Sequence, residues 1–224
     1  MTRAAAAVAW HPEWPVAASI GFGWLTVVAL QASGDHRLHT APAWIAWAIM
    51  SALMMVPVAL PAIRYLAFNS FKRRRLRAMM VFVAAYLVAW IGFGLIALEA
   101  VSAGLGAGIS VRGLSIVTLI VAALWQLAPY RQRAILRCRQ VVPLSPTGLR
   151  ADVTCAHFGT QQALHCMRVC WPAMVLMAIV GHQLAAMAAL TIIVVAEEYA
   201  PWRERLFTPV FALFLAAAGL IAAS

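Results

Sequence analysis

Residues 43–66 read AWIAWAIMSALMMVPVALPAIRYL, twenty-four residues whose single charge, Arg64, comes near the end. About 20 predominantly apolar residues suffice for a helix to cross a hydrocarbon core. The run is continuously apolar and does not alternate, so it reads as a helix and not as a strand of a barrel. The same signature recurs along the chain, at 14–30, 79–98, 109–128, 164–180, 184–196 and 206–222. The predicted fold is all-α, a polytopic membrane helix bundle of about seven transmembrane helices, in a single integral membrane domain over 1–224. The sixth segment is short unless it takes in Glu197 and Glu198. The alternative is a re-entrant pair made by the fifth and sixth segments, which leaves six crossings.

Composition supports the same class. The 224 residues are 64% hydrophobic and 11% charged, with mean hydropathy +0.87, far from an ordinary soluble domain. No small-residue cleavage site follows the first apolar segment, so that segment is expected to be retained. The formal charge of +10 is first a topology signal in such a chain. A nucleic-acid partner would call for a soluble basic surface with stacking aromatics, and none is evident. Arg64, Lys72, Arg73, Arg74, Arg75 and Arg77 fall in one link, and Arg131, Arg133, Arg137, Arg139 and Arg150 in another. With Arg3, Arg203 and Arg205 they make fourteen cations on one side, against Arg37 and Arg112 on the other. The positive-inside rule puts the first group in the cytoplasm, with the N-terminus cytoplasmic and the C-terminus external.

Chemistry concentrates in sulfur. Cys166 and Cys170 sit at i and i+4, on one helix face, and the stripe runs on through Met174 and Met177. Converging sulfurs in an apolar bundle suit a soft metal such as Cu(I), or Zn. They equally suit plain packing, because Cys and Met fill apolar space well. The second segment carries Met54 beside Pro57 and Pro61. Pro57 cannot donate to the carbonyl of Leu53, nor Pro61 to that of Pro57, and Pro172 frees the carbonyl of Arg168. Each proline should mark a bend with an oxygen open to a partner. Arg168, inside a segment, needs a counter-charge, and Glu197 or Glu198 is the expected one. A structural ion pair at the membrane boundary explains such an arginine as well. His36 and His39 with Asp35 could hold a borderline metal or simply be solvated. Gly92 and Gly94 are expected to permit close helix approach, and Gly104, Gly106 and Gly108 to form a short outer loop. There is no HExxH, GxSxG or P-loop, so no enzymatic activity is expected.

Several motifs in order resemble a bacterial family of predicted metal-binding integral membrane proteins, a domain of unknown function. The second segment, "WIAWAIMSALMMVPVALP", is similar to the family's "M…AMMxPxxxP". "LAPYRQRAILRCRQ" resembles "LTPLKxxCLxxCRxP", and "GTQQALHCMRVCWPAM" resembles "GxxHGxxCxGCCWxLM". "GHQLAAM…EEYAP" is similar to "GxMNLxxM…EKxxP", so the resemblance runs from 44 to 201. The family's cysteines fall on Cys138, Cys166 and Cys170, and its glutamate on Glu197. Ala134, Gln162 and Val169 stand where the family has cysteine, histidine and cysteine, and Arg168 replaces a glycine. The chain thus reads as a divergent member, with Cys155 and His165 outside the pattern as candidates to fill vacated positions.

The resemblance implies a metal site of Cys138, Cys166 and Cys170, with Glu197 or His165 as a fourth ligand, for a copper or zinc ion or for none. The expected function is handling of a soft metal, copper foremost, in uptake, storage or delivery in the bacterial inner membrane. The alternative is a structural or assembly subunit of a membrane complex with a degenerate metal site. The expected partners are the lipid bilayer and another membrane protein subunit.

Overall fold

A computed structural model of the chain describes residues 11–33, 42–138, 143, 145, 148–181, 183–199 and 207–223. Among them are eight helices: α1 (Trp14–Ala32), α2 (Ala43–Phe68), α3 (Arg75–Gly106), α4 (Val111–Leu127), α5 (Pro129–Cys138), α6 (Gly148–Val180), α7 (Leu184–Tyr199) and α8 (Phe207–Ala223). Four of them, α1, α2, α3 and α6, are long and apolar enough to cross a membrane. Three others, α4, α7 and α8, are apolar but shorter, at 17, 16 and 17 residues. At 1.5 Å per residue these reach about 24–26 Å, somewhat short of a 30 Å core. The bundle's outside is apolar: Phe22, Leu25, Val88, Ile96, Leu124 and Ile192 are all exposed. Such a surface suits lipid, where apolar side chains lose nothing by facing outward.

The longest interface joins α3 to α6. It depends on Gly159, because a Cβ there would collide with the backbone carbonyl of Phe82. α2 lies on α3, where Gly94 leaves the space filled by the Trp47 ring, whose indole N–H donates to the carbonyl of Trp90 at 3.0 Å. Gly92 does not share this role, since a Cβ on it would meet nothing within 4 Å. α1 and α7 pack on α2, α4 and α5 on α6, and α8 on α4.

Three expectations about element bounds are corrected. The fifth apolar segment begins at 164, but its helix begins sixteen residues earlier, at Gly148. Hydropathy misses this half because it is amphipathic. Ala151, Cys155, Phe158, Gly159 and Gln162 are buried at helical spacing, while Arg150, Val153 and Thr160 face out. The link at 129–150 is not all loop either, since α5 occupies 129–138 and packs on α6. The outer glycines divide as well. Gly104 and Gly106 belong to the end of α3, Gly108 takes the turn with φ 86°, and Ser110 caps α4 by accepting from Gly113 N–H at 3.1 Å.

The cation-rich ends gather at one end of the bundle. Asp152 at the start of α6 bonds Arg74 at 2.6 Å and Arg77 at 2.8 Å at the start of α3. Glu13, just ahead of α1, lies 3.8 Å from Arg64 near the end of α2. Helices α1 and α2 therefore run in opposite directions, and α3 and α6 in the same one.

Candidate metal centre

α2 and α6 continue as α-helix through Pro57, Pro61 and Pro172. Each carbonyl that a proline leaves without its helical donor is bonded from another helix. Trp24 Nε1–H donates to Leu53 O at 3.1 Å, and the Tyr199 hydroxyl to Pro57 O at 2.9 Å. Trp125 Nε1–H donates to Arg168 O at 3.0 Å. The freed oxygens thus serve as helix-to-helix ties and not as ligands for an ion. Trp and Tyr combine an apolar body with one donor that must be satisfied when buried, which suits this task.

Cys166 and Cys170 are both buried thiols on the inward face of α6. The Cys170 thiol donates to the Cys166 carbonyl at 3.1 Å, so its sulfur leans back along the helix toward Cys166. It also lies 3.9 Å from the Met55 sulfur of α2. Gln162, one turn before Cys166, brings its amide nitrogen to 3.8 Å from that cysteine's sulfur. Tyr86 of α3 closes the site from a third side, with its hydroxyl donating to Met55 O at 3.1 Å. The thioether that faces Cys170 is thus Met55, and not the Met54 that the proline break points to.

The other candidate ligands lie apart. Glu197 does not pair with Arg168. It is held by Arg131, Nη2 to Oε2 at 2.5 Å, with both side chains buried. Arg131 Nε also donates to Val169 O at 3.1 Å. Arg168 stands two residues from each cysteine, about 200° around α6, where residues do not share a face. It is exposed, with its guanidinium 3.5 Å from His165 Nδ1. Cys155 cannot complete the site, because eleven residues separate it from Cys166, roughly 16 Å along the helix. It lines a pocket with Arg74 and Ser145 instead. The side chains of Cys138 and Glu198 lie outside the described residues, as do Asp35, His36 and His39. Among the described residues, no three of His, Cys, Asp and Glu converge as a metal-binding group.

The Arg131–Glu197 pair is the feature that sequence reasoning misses. A charge count places Arg131 among the solvated cytoplasmic cations, yet α5 folds back on α6 and carries it inside. The sequence holds one signal of it: the basic position of "LTPLK" falls on Arg131 and the acidic one of "EKxxP" on Glu197. The pair borders Cys170 across a cavity of about 20 Å³, also lined by Gln126 and Trp125. That volume admits about one water.

A family model described as "PpoB2: Copper chaperone" matches residues 44–222, most of the chain and all of the stretch on which the resemblance rests. Neither a curated protein nor a solved structure matches it.

Proposed function

Since the chain belongs to the PpoB2 copper chaperone family, we propose that it is a non-enzymatic, membrane-embedded copper handler that holds copper as Cu(I) and delivers it to another membrane protein. The observation that carries this reading is the pair of buried thiols, Cys166 and Cys170, facing the methionine-bearing side of α2. Buried thiol and thioether sulfur favours a soft monovalent ion over hard cations. Copper is cargo here, so a site of few ligands suits release better than a closed four-ligand cage.

The test is the copper content of detergent-purified protein loaded under reducing conditions, wild type beside Cys166→Ser/Cys170→Ser. Wild type is expected to retain roughly one copper per chain and the double variant none, because serine oxygen is a poor ligand for a soft ion. Equal copper in both, or none in wild type, would overturn the reading.

The proposed setting is a bacterial inner membrane crossed seven times, with the N-terminus cytoplasmic and the C-terminus external. α4, α7 and α8 would cross where the bilayer thins locally or flanking residues reach the interface. A reporter fused after Ser224 is then expected to be active only on the external side. Activity in the cytoplasm would refute this orientation.

A second reading, an assembly subunit with a degenerate site, draws on Ala134, Gln162 and Val169 at the family's ligand positions and on the engagement of Glu197 by Arg131. It requires stoichiometric co-purification of a partner without copper.

A further inference from the structure

We propose that Met55 is a copper ligand, so that Cys166, Cys170 and Met55 form a three-sulfur site that takes Cu(I) and discriminates against Zn(II). This rests on the copper reading above and specifies its chemistry. The geometry points to it directly. The Met55 and Cys170 sulfurs are 3.9 Å apart across the α2–α6 contact. Two sulfurs each about 2.3 Å from one metal, at a trigonal angle, stand about 4 Å apart. The contact therefore already has the spacing that a shared three-coordinate ion requires. Cys166 supplies the third sulfur from one turn back on the same face, where i and i+4 side chains meet. In the proposed site its sulfur turns from the Gln162 amide toward the other two.

The position of Met55 is fixed by its neighbours. Its own carbonyl accepts from Tyr86, two residues before the break at Pro57, and its side chain is fully buried. A methionine without constraint is adaptable filler, but this one sits on a stretch of backbone tied at Leu53 O and Met55 O, with its sulfur against Cys170.

Selectivity follows from the donor set. A thioether is a neutral soft donor that suits Cu(I) and contributes little to Zn(II), which prefers four ligands drawn from thiolate, imidazole and carboxylate. Both thiols must lose their protons to solvent on binding. The two thiolates and one Cu(I) leave a single negative charge beside the Arg131–Glu197 pair, whose own charges cancel.

The test is Cu K-edge X-ray absorption on full-length protein in which methionine is replaced by selenomethionine, loaded with Cu(I). A copper–selenium distance appears only if a methionine is a ligand, and wild type needs no substitution to show it. We expect that distance in wild type and in Met54→Leu, and its loss in Met55→Leu, together with a fall in Cu(I) affinity of about tenfold. Met55→Cys should keep the affinity within about threefold of wild type, because sulfur is restored, and so separates ligand loss from misfolding. Copper bound without any copper–selenium distance, or a distance that survives in Met55→Leu, overturns this inference and leaves the copper reading standing. No copper binding in wild type overturns both.

Discussion

Arg131→Met is expected to lower the stability of the folded protein by about 3–5 kcal/mol. The reason is not the worth of the ion pair. Arg131 and Glu197 are both buried and bonded to each other, and methionine would leave the Glu197 carboxylate charged in apolar surroundings. It would also take the Nε donor from Val169 O. Removing both charges together leaves no unpaired charge, so Arg131→Met/Glu197→Leu should recover most of the loss, within about 1–2 kcal/mol of wild type. Unfolding in detergent micelles, followed by helicity against denaturant, measures the cycle. If the single and double variants were equally unstable, the pair would not be the cause. The double variant also decides the role of Glu197. As a counter-ion partner its loss leaves copper on the three sulfurs, whereas as a ligand its loss empties the site.

The helices are legible from hydropathy because a segment long and apolar enough to cross a membrane carries the same requirement at nearly every residue. Where a helix leaves that regime the signal changes. The first half of α6 buries one stripe and wets the other, so its period and not its mean marks it as helix. The paired thiols are legible too, since i and i+4 fix a common face without any knowledge of the bundle. The partner of that face is harder. Met54 and Met55 are both fully buried, and which of them meets Cys170 depends on the rotation of α2 about its axis. That rotation is set by Trp24, Tyr86 and Tyr199 holding three carbonyls of α2 from three other helices. Each of these aromatics lies far from its carbonyl in sequence, so spacing carries no trace of the pairing. The Arg131–Glu197 bond fails to show for a related reason. A charge count treats every arginine in a link alike, and only the docking of α5 on α6 distinguishes Arg131 from its neighbours.

Gln162→His is expected to create a zinc site where wild type has none of comparable strength. Gln162 stands at the position that carries histidine in the family pattern, and its amide lies 3.8 Å from the Cys166 sulfur. An amide nitrogen is a donor and offers zinc no lone pair, whereas a neutral imidazole does. Position 162 is one turn before Cys166 on the same face, and Cys170, about 12 Å beyond position 162 along the helix, approaches only because its thiol leans back toward Cys166. Two thiolates and an imidazole with a water in the fourth place form a known zinc arrangement. Zinc affinity should therefore rise by roughly tenfold to a hundredfold, or about 1.4–2.7 kcal/mol, as read by competition against a chromophoric chelator. Cobalt substitution should give the intense thiolate charge-transfer bands of a cysteine-ligated site. The same substitution with Cys166→Ser should lose the gain, which excludes binding by a surface histidine. A folded Gln162→His protein that took up no more zinc than wild type would mean that the 162 side chain cannot reach an ion held by the thiols.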